Sequence, residues 1–290
     1  AEGGLLIPGL HDHHVHLASY AAALQSVRCG PPEVNSEAEL VEAINRPGSG
    51  WLRGTGFQEG VCQQLNRAWL DQHGPNRPVR IQHRSGRLWI FNTLAIEQVK
   101  AAAASLAPHE QVRVSRPDGL YYDADEILGG LIRSEAPPIG QASQRLVKLG
   151  VTGINDMTPT NDGVAWDWFL GLQNSGDLLQ RVRMSGRAEL SAQSSLPGLA
   201  CGEVKVHLHD TVLPELESFV ELIRTSHSSG RGVAVHCVTE VELVFTLAAF
   251  RAAGTLKGDR IEHASVMPFE LVEQVEQVLK FRVACDPLAT

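Results

Sequence analysis

The residue pattern predicts an α/β protein built on a parallel sheet, and three observations carry that reading. Short, β-branched apolar runs alternate with longer amphipathic stretches along the chain. From residue 142 onward a run recurs about every 25 to 30 residues, the period of βα units in a (β/α) barrel or a doubly wound sheet. The 290 residues exceed one small domain but suit a single α/β barrel, typically about 250 residues, and 43% hydrophobic content supports a substantial core.

In chain order, the first strand is expected at Leu5–Ile7, running through the turn Pro8-Gly9 into His11–Leu17. Residues 18 to 140 then break the rhythm with the clusters Gly30-Pro31-Pro32, Pro47–Gly50 and Gly74–Pro78. That stretch holds strand candidates at Trp51–Phe57 and Val79–His83 and an Ala-rich helix candidate at Val99–Leu106. It is expected to be an insertion after the first strand, forming a lid or side subdomain. The rhythm resumes with strands at Val151–Asn155, Arg181–Met184, Val204–Leu208, Gly232–His236, Arg260–His263 and Leu279–Ala284. Helices are expected between them at Ser143–Leu149 with Gly150 as its cap, at Leu213–Ser226, at Glu240–Ala253 closing on Gly254, and at Phe269–Val278.

Composition removes several classes of function. Twenty-five basic against 33 acidic residues give a net charge of -8 with no Lys/Arg run, so neither nucleic acid nor an anionic membrane is an expected partner. No stretch approaches the roughly 18 to 20 apolar residues of a membrane span. The five cysteines, Cys29, Cys62, Cys201, Cys237 and Cys285, are scattered and form no CxxC pair. A disulfide framework is therefore not expected, and a reducing, cytoplasmic compartment is. No GxGxxG or GxxxxGK[ST] follows any strand, which argues against a nucleotide-binding sheet.

The twelve histidines carry the chemistry, with four of them at His11, His13, His14 and His16. Strand alternation puts Asp12, His14 and His16 on one face. Two imidazoles with a carboxylate behind them suit a divalent metal, since neutral imidazole is a common zinc ligand and a nearby acid can fix its tautomer. A polar, solvent-exposed turn is the plainer alternative. His236 and His263 each end a predicted strand, where parallel α/β folds gather ligands and catalysts. Lys205 lies inside the apolar run Val204-Lys205-Val206, where an unpaired ammonium is costly. Either it reaches water at an edge or something neutralises it; carbamylation would make it an anion able to bridge two metals. His207 and His209 share its face and are expected in supporting roles.

The segment Pro8-Gly9-Leu10-His11-Asp12-His13-His14-Val15-His16-Leu17 resembles the PGxxDxHxH opening of the amidohydrolase superfamily. Counting strands from Leu5–Asp12 puts Lys205 on the fourth, His236 on the fifth and His263 on the sixth, which is that superfamily's order. The segments Trp51–Phe57, Pro78–His83 and Ser85–Asn92, with Arg260-Ile261-Glu262-His263-Ala264, look like its amidohydrolase-3 branch, which includes N-substituted formamide deformylases.

The resemblance implies a TIM-like (β/α) barrel truncated after the seventh strand, with an inserted subdomain after strand one. Residues 1–17 would hold the first strand, 18–140 the insert and 141–290 the rest of the barrel. It implies hydrolysis of a non-peptide carbon–nitrogen bond in a small molecule by metal-activated water. His14, His16, Lys205, His236 and His263 would be the metal set, for one divalent ion or two, zinc by donor type. Asp12 would orient the first histidine pair, and His263 would ligate or polarise the substrate carbonyl.

Two departures bear on this. The family's general base is an Asp on strand eight, and this chain stops at Thr290 just after the seventh strand; Asp286 there is not taken as its replacement. The family's terminal β-sandwich is absent as well, so a fragment cut at both ends is expected. The competing class is a metal-binding or structural barrel without catalysis. Arg87 stands where many relatives carry His and reads as a partner for an anionic substrate group or, more simply, as a surface or supporting arginine. Arg87 and Trp89 are the substrate-side candidates, with Trp89, Trp51, Trp69, Tyr121 and Tyr122 as lining or as the insert's own core. A homo-oligomer is left open.

Overall fold

Seven parallel strands lie side by side in chain order: β1 (Leu10–Val15), β2 (Val151–Asp156), β3 (Arg181–Gly186), β4 (Leu199–His207), β5 (Val233–Cys237), β6 (Arg260–His263) and β7 (Val283–Ala284). A doubly wound sheet reverses its strand order at a switch point, whereas here each strand is laid on the same side of its predecessor. That order belongs to the wall of a (β/α) barrel. The computed structural model describes residues 5–132, 137–193, 195–279 and 283–284. Of the predicted strand Leu279–Ala284, Leu279 instead ends the helix Phe269–Leu279, residues 280–282 lie outside the described residues and Val283–Ala284 form β7; Asp286 also lies outside the described residues.

Two compact units divide the chain, one formed by residues 1–20 and 138–290 and the other by residues 21–137. In the first, Val204, Val233, Val235, Cys237 and Ile261 pack against Phe219, Ile223, Leu243, Leu247 and Phe250 of the helices Leu216–Ser228 and Glu240–Ala253. Alternation then turns Lys205, His236, Arg260 and Glu262 to the opposite, inner face of the sheet. The apolar residues bury against helices, and the polar residues line the side where a barrel keeps its interior. Gly150 and Gly254, both at positive φ (78° and 80°), follow the helices that precede β2 and β6.

One predicted strand is misplaced. Leu5–Ile7 lie outside the sheet and are exposed, whereas β1 begins at Leu10. The cause is the partner strand: β2 starts at Val151, which pairs with Leu10, and no ladder extends further back. An apolar run without a neighbour to complete its hydrogen bonds does not become a strand.

The second unit is a five-stranded sheet of Val27–Arg28, Leu52–Phe57, Val79–His83, Leu88–Phe91 and Leu120–Tyr122, the first three parallel and the last two antiparallel. One cluster packs Leu52, Val79, Ile81 and Ile90 with Leu40, Ile44 and Leu70; the other packs Trp89, Phe91 and Tyr121 with Ala95, Ile96 and Val99.

Candidate metal centre

Six imidazoles run in contact across the carboxyl ends of β1, β4, β5 and β6. Ring centroids are 5.3 Å apart for His16 and His14, 4.8 Å for His14 and His263, and 4.7 Å for His263 and His236. The row continues at 4.0 Å to His207 and 4.6 Å to His209. The four histidines singled out in the sequence are thus brought together, and His207 and His209 extend the row.

The backbone explains how each arrives. The β1–β2 ladder shifts register between Asp12 and Val15 and resumes at Val15–Asp156, so His14 sits in the irregular stretch and His16 follows the strand end. Asp12 Oδ1 accepts the backbone N–H of His14 at 3.0 Å; its contact is with the main chain of His14 and not with a ring. His236 stands in register with His207 on one side and Glu262 on the other. His263 and Ala264 both take left-handed backbone (φ 71° and 47°), a strained conformation for residues with a Cβ. Strain of this kind persists where surrounding structure holds it, and here it coincides with a residue of the cluster.

Glu262 is the residue that sequence reasoning passed over. Its carboxylate is fully buried, meets His14 Nδ1, and pairs with Arg260 Nε at 2.5 Å. Burial alone would raise its pKa, but the hydrogen bond from His14 and the charges of Lys205 and Arg260 outweigh that and hold it below the usual carboxylate range. A signal was present: an acid inside the apolar strand Ile261-Glu262-His263 needs a partner for the same reason that Lys205 does.

Electrostatics favour neutral imidazoles. Burial, reinforced by His207, His263, Lys205 and His14, pushes His236 down to about 2. Burial likewise takes His16 down to about 4 against the pull of Asp156, and its Nδ1 lies 3.3 Å from Thr158 Oγ1. Lys205 is buried on β4 with no hydrogen-bond partner for Nζ, and burial lowers its pKa to about 8 despite Glu262 nearby.

These donors fit a divalent cation in kind. The set combines uncharged imidazoles, a buried amine with no partner, and a carboxylate that occupies Nδ1 of His14 and so directs its Nε2 elsewhere. Among the described residues, no three His, Cys, Asp or Glu side chains already close around one ion. A cavity of about 810 Å³ lies elsewhere, between Val204 and the helix Leu216–Ser228, on the helix-facing side of β4 and away from the histidines.

Arg87 and Trp89 belong to the second unit. Arg87 is a surface residue paired through Nε and Nη2 with Asp123 at 2.8 and 2.7 Å. Trp89 is a core residue, and its indole N–H donates to Asp125 at 2.9 Å. Trp69 and Tyr121 are likewise buried in that unit's own clusters, and Tyr122 is exposed. Packing within that unit accounts for the burial of Trp69, Trp89 and Tyr121.

A barrel-type parallel wall with imidazoles gathered at its strand ends defines a broad class of α/β proteins. Residues 1–281 match the amidohydrolase family (Amidohydro_3), and the chain belongs to it. It is similar to the protein LONG AFTER FAR-RED 3 of Arabidopsis thaliana, with 24% identity over 189 residues, 58% of this chain and 32% of that one. It is also similar to an N-substituted formamide deformylase of Arthrobacter pascens, with 32% identity over 114 residues, 37% of this chain and 21% of that one. Among solved structures, an uncharacterized metal-dependent hydrolase from Pyrococcus horikoshii OT3 matches with a TM-score of 0.71 at 18% identity, covering 96% of this chain and 62% of that one. At that identity the likeness is one of fold. The chain spans about a third and a fifth of the two curated relatives.

Proposed function

We propose that the protein is a metal-dependent hydrolase that cleaves a non-peptide carbon–nitrogen bond, in a small N-acyl or N-formyl amide, through activated water. The observation that carries this reading is the gathering of His14, His16, His236 and His263 beside the partnerless amine of Lys205. Family membership supports hydrolysis, and the formamide deformylase similarity supports the amide class.

In this reading His14, His16, His236 and His263, with Lys205, hold a divalent ion, zinc by donor type. When bound, such an ion acidifies a water toward a pKa of about 7 and polarises a carbonyl. The protein's own part is preparation. Glu262 fixes the tautomer and orientation of His14, and Thr158 faces Nδ1 of His16. Burial keeps His16 and His236 uncharged at neutral pH, with their lone pairs available. Asp12 holds the backbone N–H of His14, two residues before His16.

Lys205, with its pKa lowered to about 8, holds an appreciable neutral fraction that can add to carbon dioxide. A nitrogen–carbon bond forms, a proton leaves the amine for solvent, and the resulting anion would serve two ions where the free amine serves one at most. The expected setting is the cytoplasm. Among the described residues no helix is long and apolar enough to cross a membrane.

Elemental analysis of the purified chain tests this. One or two zinc-like ions per chain are expected, falling to near zero in His14→Ala and in His236→Ala. Metal that stays bound in both variants, or none in folded wild type, would overturn the assignment. With metal in place, release of formate or acetate from N-substituted amides is the activity to assay.

A further inference from the structure

The second unit contains a pair of cross-strand arginines that, among the described residues, share a single acid as countercharge. Arg53 on the strand Leu52–Phe57 stands in register with Arg80 on the neighbouring strand Val79–His83. Like charges directly across a sheet repel, and both side chains are largely withdrawn from water. That burial lowers both pKa values, Arg80 to about 10 with Arg53 adding to the effect.

Arg53 has neutral acceptors, Ser26 Oγ at 2.6 Å and Gln82 Oε1 at 3.4 Å. Arg80 Nε is buried with no hydrogen-bond partner. Among the described residues the countercharge that both arginines feel is Asp125, whose Oδ1 already accepts the Trp89 indole N–H at 2.9 Å.

Aromatic rings hold the two guanidiniums at one place. They lie over Trp89 at 5.4 Å (Arg53) and 5.2 Å (Arg80), and Arg80 also lies 5.7 Å from Trp51. Thr55, two residues along the strand from Arg53, is 7% exposed, and its hydroxyl has no partner either. Alternation puts it on the face of Arg53. Among the described residues, two half-buried cations, an N–H and a hydroxyl without partners, and a single aspartate already engaged by Trp89 leave this sheet face with more donors than acceptors.

We propose that Arg53 and Arg80, stacked over Trp89, form a binding site for a small oxyanion, a carboxylate or phosphoryl group, which neutralises the pair. Guanidinium forks match such groups geometrically, and neighbouring aromatic faces pre-order them. The site lies wholly within the second unit and does not rest on the hydrolase reading.

The test titrates the full chain with sodium phosphate and, separately, sodium acetate, with sodium chloride holding ionic strength constant. Tm and tryptophan fluorescence are followed, since Trp51 and Trp89 are at the site. A saturable response to either oxyanion is expected; phosphate alone would identify a phosphoryl ligand, acetate alone a carboxylate. Affinity should fall about tenfold or more in Arg80→Gln and in Arg53→Gln, and stay unchanged in Arg84→Gln, an arginine outside the pair, and in His14→Ala. Arg80→Lys keeps the charge and protects folding, yet should still bind more weakly because the fork is lost. A response that never saturates, unchanged affinity in the Arg80 variants, or loss only in His14→Ala would overturn the proposal.

Discussion

Glu262 is where the first unit is most exposed to a single substitution. One fully buried carboxylate serves His14, Arg260 and, through space, Lys205. Replacing it with Gln keeps the volume but strips the countercharge from two buried cations, and removing one partner of a buried ionic group costs about 3 kcal/mol or more. Glu262→Gln should therefore lose about that much stability in urea at pH 7. The pH dependence follows from the direction of its shift. A carboxyl held below its ordinary value contributes stability that is complete above about pH 4.3 and disappears as pH falls through the folded value. Wild-type and variant unfolding free energies should draw together as pH falls through the folded value of Glu262. A gap that stays constant from pH 7 to pH 3 would mean the ionic role is misassigned.

The helix Glu240–Ala253 shows how an element carries the site. It follows β5 directly, and its first turn is closed by a capping box in which Thr239 Oγ1 accepts the N–H of Glu242 and Glu242 returns to the N–H of Thr239. Glu242 does more than cap, since its buried carboxylate also accepts from Val238 at 2.7 Å and Asp210 at 3.1 Å, tying the loops after β5 and β4 together. Thr239→Ala should cost about 1 kcal/mol, the usual worth of a cap. Glu242→Ala should cost about 2 to 3 kcal/mol, because it leaves buried N–H groups without acceptors. Equal costs from chemical denaturation would show that the loop contacts add nothing.

This helix is legible in the amino-acid sequence, as are β5 and β6. The helix and β5 are apolar runs with glycine at one end, and periodicity reports such runs well, whereas β6 is marked by its place in the βα rhythm after Gly254 and Gly258. What the sequence hides is tertiary. Leu5–Ile7 look like a strand by composition and fail for lack of a partner. The Glu262–His14 contact joins residues 248 positions apart, which no local pattern encodes. The left-handed backbone at His263 and Ala264 likewise carries no glycine to announce it. Trp89 reads equally well as a pocket wall or a core residue, and only its burial beside Phe91 and Tyr121 separates the two.

The whole chain has an asymmetry of connectivity. The second unit is continuous, and the two hydrophobic clusters described for it draw on residues between Val27 and Ile132. The first unit is discontinuous, since β1 pairs with β2 across the entire second unit. Loop closure costs little more for long loops than for short ones, so this arrangement is tolerable once the intervening chain is folded. It also orders the dependencies: β1 supplies His14 and His16, and Leu17 N–H is held by the buried Asp156 at the end of β2 at 2.8 Å. An excised 21–137 segment should therefore fold alone, unfolding cooperatively in urea with the blue-shifted emission of buried Trp69 and Trp89. A 138–290 segment should fare worse, because it lacks β1, bares the edge of β2 and loses half of the predicted histidine ligands. Far-UV circular dichroism of the two segments separates the cases. A disordered 21–137 segment, or a 138–290 segment as stable as the full chain, would show that stability is distributed otherwise than the two contact-defined units imply.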